Sequence, residues 1–443
     1  MTAENVRCAR YRRRFAESFR LPLVVAVVAV LVVQAIEPSV AAAESVTVAR
    51  AVAMALERNP DLLATRQQLK TAQGQVVKAH YLNQFNPQVQ GGATQAQFGF
   101  APGGSAAQPQ GTVSLEVEVA GQRGRRIEAA DQNLAEAKAR VADAERLTIG
   151  QVKYTFYQAL YLRERFALTE RIADLNRRLR DAAVIRFHSG ETSKLEADLA
   201  AIRYDQSRKV VLLARRDYEN GVRALARTIG LPPDGTLGID GALPVAPVNV
   251  DPPTAVRLAE LRRPDLQARR YAMSRVDAQI ALTRRLIVPN PTISGFFGES
   301  TDAPGQPIRV FGGSVGFSVP IFDRKQAELT ALSGERLRAS YERAAMQLTV
   351  EQEVRNAIAG YDAARETLAL FESDLIGRVT DGFGLIETSY RAGKIGLLQL
   401  IVAENDLVTA QLSYLDSLWD YRAARVVLET AADAKLDEMV TKP

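Results

Sequence analysis

Val113-Ser114-Leu115-Glu116-Val117-Glu118-Val119 and Ser314-Val315-Gly316-Phe317-Ser318-Val319-Pro320-Ile321 are two stretches of one design in a chain of 443 residues. In the first, Val113, Leu115, Val117 and Val119 alternate with Ser114, Glu116 and Glu118; in the second, Val315, Phe317, Val319 and Ile321 alternate with Ser314, Gly316 and Ser318. Strand side chains repeat with a period of two, so each segment is predicted to be a strand with one apolar and one polar face. That pattern suits a half-buried strand of a soluble sheet. It suits equally a strand between lipid and water, with Val113, Leu115, Val117, Val119, Val315, Phe317 and Val319 towards the lipid.

The number of strands bears on the choice. A further strand is expected before each stretch, from Gln88 to Phe100 and after Asn290-Pro291, which makes four. Four strands cannot close a barrel, and in lipid every edge must be paired. Two copies would give eight strands and an interior filled by side chains, whereas three would give twelve and leave a lumen.

The two strand pairs belong to an internal duplication. Asn59-Pro60-Asp61-Leu62 matches Arg263-Pro264-Asp265-Leu266 at a displacement of 204 residues, and Asn86-Pro87 matches Asn290-Pro291 at the same displacement. Phe187-His188-Ser189-Gly190 matches Tyr390-Arg391-Ala392-Gly393 at 203, and Leu115, Val117 and Val119 match Val315, Phe317 and Val319 at 200. One repeat is therefore expected over residues 44–230 and another over 254–435, joined by a Pro/Gly-rich loop at 231–253 and followed by a tail at 436–443.

Each repeat reads as a short helix, a medium helix, two strands, a very long helix, a turn and a last helix. In the first, the expected helices are Val46 to Arg58, Asp61 to Gln84, Gly124 to Arg186 and Thr192 to Ile229. In the second they include Asp265 to Val288, Arg324 to Arg391 and Gly396 to Leu428. Ile127, Leu134 and Val141 fall seven apart, as do Ala130, Ala137 and Ala144, the spacing of a left-handed coiled-coil seam. The medium and last helices together match the long one in length, so they are predicted to stack end to end beside it.

The amino terminus is arginine-rich (Arg7, Arg10, Arg12, Arg13, Arg14, Arg20), then apolar from Leu21 to Ile36, then small at Ala41-Ala42-Ala43. This is the layout of a secretory signal peptide over residues 1–43. The apolar run is shorter than the ~20 residues of a spanning helix. Removing the leader, which holds Cys8, leaves no cysteine and lowers the formal charge from +5 to +2, so nucleic acid is not an expected partner.

Catalytic and metal chemistry find little footing. The two histidines, His80 and His188, are far apart, and neither HExxH nor a cysteine pair is present. Gly121 to Gly124 and Gly312-Gly313 lack the Gly-Lys-Ser/Thr ending of a phosphate loop. No enzyme, cofactor or resident metal is expected.

Taken together, the motifs resemble the TolC-like outer-membrane efflux protein family across essentially the whole sequence after the leader. The likeness rests on Asn59 to Leu62, Arg263 to Leu266, Asn86, Asn290 and the turns around Gly190 and Gly393. The strand exits Val117 to Arg123 and Val319 to Gln326 look like those of the heavy-metal branch of tripartite RND efflux systems. The resemblance implies a mainly α protein with a small β part: a homotrimer with a twelve-stranded transmembrane β-barrel above a periplasmic α-barrel. It implies a passive duct in the outer membrane and periplasm of a Gram-negative bacterium, working with a periplasmic adaptor and an inner-membrane RND pump. Heavy-metal cations are the first expected cargo, and organic toxicants the alternative. The other classes weighed are a periplasmic adaptor, which would have one helical hairpin and no duplication, and a structural coiled-coil protein of the envelope.

By the same resemblance the tip turns meet the adaptor through Arg186, Gly190, Leu195, Tyr390, Arg391, Gly393 and Leu398. One family member carries two aspartates after the second turn glycine, where Gln399 and Val402 stand here. Glu196, Gln399 and Glu404 are accordingly the residues expected at the lumen entrance.

Overall fold

The computed structural model describes residues 45–97, 105–232, 237–243, 247–303, 306–372 and 375–440. The expected signal peptide, with Cys8, lies outside them. The chain divides into two units: Met1–Val46 with Thr236–Gly238, and the remainder, Thr47–Gly235 with Ile239–Pro443. All that follows concerns the second.

Its first repeat runs α1 (Val48–Arg58), α2 (Pro60–Ala79), β1 (Gln88–Gln97), β2 (Ser105–Glu116), α3 (Gln122–His188) and α4 (Lys194–Thr228). Its second runs α5 (Pro252–Arg262), α6 (Pro264–Arg285), β3 (Thr292–Ala303), β4 (Gln306–Gly316), α7 (Gln326–Glu372), α8 (Leu375–Arg391) and α9 (Leu397–Ala432). The long helix expected over 324–391 is described as α7 and α8, with residues 373–374 outside the description.

Helix starts follow from their caps. Proline opens α2, α5 and α6 in the first turn, where its missing N–H has no intrahelical partner to lose. Asn59 accepts from Leu62 N–H at 3.0 Å and Asp251 from Thr254 N–H at 3.2 Å. At 67 residues α3 is ~100 Å long, and it packs along α2 and α4 of its own repeat and α6 and α9 of the other. Gly150 permits the last of these approaches, because a Cβ there would lie 2.8 Å from Thr430 Cγ2. Of the two heptad lines, Val141 and Ala130 are buried, whereas Ile127, Leu134, Ala137 and Ala144 are half-buried.

The end-to-end stacking has a specific fastening. Asn59 Nδ2 donates to the Thr228 carbonyl at 2.8 Å, joining the start of α2 to the end of α4. Its counterpart Arg263 donates to the Ala431 carbonyl at 3.2 Å, joining the start of α6 to the end of α9. Each side chain thus occupies a carbonyl that the helix end leaves unpaired. Gly230, with φ of +77°, is required beside the first joint, since a Cβ would lie 2.6 Å from the Arg58 carbonyl carbon.

Several boundaries differ from expectation. Helix α2 stops at Ala79, five residues before Gln84, where side chains take over the last helical carbonyl and the two that follow it. Arg126 donates to the carbonyls of Ala79 and Tyr81, and Arg123 to that of His80, at 3.1–3.3 Å. Strand β2 ends at Glu116 and β4 at Gly316, so Val117, Val119, Phe317, Val319 and Ile321 lie past the strands. Val117 N–H still donates to the Pro291 carbonyl at 2.9 Å. Pro291 has no N–H to return, and β3 begins only at Thr292, so the ladder stops there.

The four strands form one antiparallel sheet in the order β1-β2-β3-β4. The register pairs Gln88 with Ser114, Glu116 with Thr292, and Thr292 with Gly316. All four junctions with helices therefore lie at one end of the sheet.

Candidate functional site: the tip turns and the two-faced sheet

The turn after α3 and the turn after α8 are built alike. Gly190 and Gly393 have φ of +78° and +67°, the left-handed conformation that glycine adopts without a Cβ penalty. Glu191 N–H donates to the Arg186 carbonyl at 2.8 Å and Gly190 N–H to that of Phe187 at 3.0 Å. Lys394 and Gly393 repeat this on the carbonyls of Ser389 and Tyr390, at 2.9 and 3.0 Å. The spacing of five and three residues in both turns is a Schellman closure, which satisfies carbonyls that a helix end leaves free. The next helices are capped differently. Ser193 accepts from Glu196 N–H at 3.3 Å, whereas the Gln399 side chain accepts from Gly396 N–H at 3.3 Å.

The two tips pack together. Tyr390, wholly buried, joins Leu175, Leu179, Ala183, Ala200, Leu397 and Leu400 in one cluster. The Arg186 guanidinium lies 5.1 Å from the Tyr390 ring centroid and donates to the Tyr390 carbonyl at 3.4 Å. Burial raises the Tyr390 phenol above its ordinary value; Arg186 opposes the shift and the negative charge of Glu196 adds to it. Farther along α3, Arg178 meets Glu387 of α8 at 3.3 Å.

The expected docking residues divide accordingly. Gly190, Leu195, Arg391, Gly393 and Leu398 are exposed. Tyr390 is not, and has no surface to offer a partner; it and the half-buried Arg186 hold the tips to each other. His188 is exposed in the first tip, and His80 hydrogen-bonds the Val76 carbonyl at 2.9 Å, at the end of α2.

Of the expected entrance residues, Glu196 is half-buried and hydrogen-bonded by Thr192, and Gln399 is exposed. Glu404 must be removed from the entrance. It is 1% exposed within the single chain, 3.8 Å from Arg203 of α4, with neither carboxylate oxygen hydrogen-bonded among the described residues. Burial raises its carboxyl above the ordinary carboxylate range, and Asn176 and Arg203 offset that in part. Nothing local marks Glu404 as buried, because its neighbours come from α3 and α4, more than two hundred residues away in sequence.

Directly opposed residues of an antiparallel pair share a face. The register Val89–Val113–Gly295–Gly313 and Leu115–Ile293–Val315 places Val89, Val113, Leu115, Ile293 and Val315 on one face, with Phe297 and Phe311 farther along it. The opposite face carries Gln88, Gln90, Thr94, Thr112, Ser114, Glu116, Ser294 and Ser314, interrupted by Phe296, Ile308 and Val310, while the charged pair Glu299 and Arg309 stands on the apolar face beyond Phe297 and Phe311. Phe297 covers Gly111 and Phe296 covers Gly312: a Cβ on either glycine would lie 2.7–2.8 Å from a ring carbon. The apolar face is not a core, since Val89, Ile293, Phe297, Phe311 and Val315 are all exposed. Neither outer strand has a second neighbour among the described residues. At the base, Gln122 donates to Asn290 and Asn290 to Glu116, each at 2.9 Å, tying the exit of one strand pair to the start of the other.

Among the described residues no three His, Cys, Asp or Glu side chains converge as a metal site, and no helix is long and apolar enough to cross a membrane. A duplicated helical scaffold carrying an open sheet with one exposed apolar face defines a channel-forming protein of the outer membrane. The sequence model of the outer membrane efflux protein family matches residues 51–231 and 255–433, one segment per repeat, and the chain belongs to that family. It is a passive channel component and not an enzyme.

Similar proteins include the cobalt-zinc-cadmium resistance protein CzcC of Cupriavidus metallidurans, 23% identical over 387 residues, which span 87% of this chain and 90% of that one. The pyoverdine export outer membrane protein OpmQ of Pseudomonas putida is 26% identical over 283 residues, 59% of this chain and 56% of its own. The crystal structure of the outer membrane protein VceC of Vibrio cholerae has the same fold, with a TM-score of 0.70 at 17% identity over 88% of this chain and 96% of that one.

Proposed function

We propose that three copies of this chain close a twelve-stranded barrel, and that the resulting duct carries heavy-metal cations out of the cell. The observation that carries this reading is the sheet: four strands, one apolar exposed face, and outer strands that need partners. Tip turns around Gly190 and Gly393 dock a periplasmic adaptor, through which an inner-membrane pump delivers the cargo. The exposed Leu195 and Leu398, 203 residues apart, give each tip the same apolar contact. Residues 1–43 act as a cleaved signal peptide.

Metal cargo is favoured by the likeness to CzcC, which spans most of both chains. The likeness to OpmQ, named for pyoverdine export, supports the second cargo, an organic compound, over a shorter stretch. Restoring the gene to a host strain from which it has been deleted separates the two. Wild type returns resistance to divalent heavy metals, and Gly393→Trp, whose side chain disfavours φ of +67°, returns none while remaining trimeric. Unaltered metal tolerance in the deletion strain, with lost export of an organic compound, would replace the first cargo by the second.

A further inference from the structure

The junction between helices and sheet is not a neutral hinge. All four crossings lie at one end of the sheet, and all four expose large apolar side chains there: Tyr81 and Leu82 after α2, Val119 after β2, Val288 after α6, Phe317 and Phe322 after β4. Leu82 and Phe322 are 87% and 89% exposed, so these groups are not packed into either neighbouring layer. Beyond the last strand residues, Val119 and Phe317 keep to the alternation of Val113 and Leu115 and of Val315, which lie on the apolar face of the sheet.

Beside them stand exposed cations: Lys78 near the end of α2, Arg284 and Arg285 at the end of α6, and Arg324 just before α7. None of the four makes an ion pair among the described residues, although arginines elsewhere on the helices are commonly paired, as Arg215 is with Glu219 and Arg216 with Asp217. The nearby acids are engaged: Asp323 and Glu328 lie 3.9 and 2.9 Å from Lys325, and Glu118 is bound by Arg126. An apolar and aromatic band edged by unpaired cations matches the boundary of a bilayer, where rings sit at headgroup depth and basic side chains reach phosphate.

We propose that this collar binds anionic phospholipid of the leaflet on the helical side, with acyl chains against Phe317 and Phe322 and headgroup phosphates against Arg284, Arg285 and Arg324. The inference rests on the reading that the apolar face of the sheet meets lipid, and adds a selectivity that this reading does not require. Two arguments select the occupant. Val119 and Phe317 follow the alternation of the face that would meet the bilayer, with Leu82 and Phe322 exposed beside them, and the surplus charge at the crossings is positive.

The test is lipid retention by the full mature assembly in nanodiscs of mixed phosphatidylglycerol and phosphatidylcholine, read by native mass spectrometry. Wild type retains phosphatidylglycerol preferentially, and inorganic phosphate does not displace it. Arg284→Gln, Arg285→Gln and Arg324→Gln each lower the preference roughly fivefold, and Arg216→Gln on α4 leaves it unchanged. Equal retention of both lipids by a wild-type protein that inserts and conducts would overturn the collar and leave the channel standing. Failure of the wild type to enter the bilayer would remove both.

Discussion

The tip turns and the sheet sit in one chain, yet one is finished within that chain and the other is not. At the tips the carbonyls of the helix ends are closed by backbone bonds, and Tyr390 is wholly enclosed by α3, α4 and α9. In the sheet, Phe297, Phe311 and Val315 stand exposed, and the outer strands lack second neighbours among the described residues. Hydrophobic burial stabilises only what is removed from water. The tips therefore draw their stability from this chain, whereas the exposed face of the sheet and its outer strands draw none from it, as the proposed assembly of three copies in lipid requires.

Substitutions at each region sharpen that contrast. Tyr390→Ala empties the tip cluster and should cost ~3–5 kcal/mol, by analogy with large aromatic truncations. Denaturant unfolding monitored at α8 and α9 would detect the loss, in detergent or out of it. Val113→Arg, on the apolar face, should cost about 2–4 kcal/mol if the site lies near the bilayer midplane, but little in an aqueous state. Equal stability of this variant and wild type in bilayers would break the comparison.

The smallest effect is expected at Glu404. Its carboxyl is raised in the folded protein, so the native state holds this proton to higher pH than the unfolded chain does. Stability from this group is thus greatest at acid pH and falls as pH rises through the unfolded and then the folded value. Glu404→Gln should flatten that fall, leaving the variant at least as stable as wild type near neutrality. Urea midpoints measured from acid to neutral pH check the slope, and a variant whose midpoint falls in parallel with wild type would contradict it.

Local signals made much of this plan legible. The duplicated Asn-Pro-Asp-Leu and Arg-Pro-Asp-Leu openings and the two turn glycines are each read from a few neighbouring residues and appear where expected, and the alternating stretches hold strands over part of their length. Contacts made at long range were hidden. Arg126 ends α2 from a point some 47 residues away, and Asn59 and Arg263 fasten helix ends 169 and 168 residues away. Tyr390 and Glu404 read as surface groups because much of what covers Tyr390, and the groups beside Glu404, come from α3 and α4 of the other repeat. Strand ends were overrun for a related reason: alternation continues through Val119 and Val319, but the pairing partner does not.

Purified mature protein reconstituted into planar bilayers gives the most direct test of the sheet as a barrel wall completed by partner copies. The account predicts a detergent-dependent trimer that produces discrete ion-conducting steps. A water-soluble monomer that leaves the bilayer silent would contradict it.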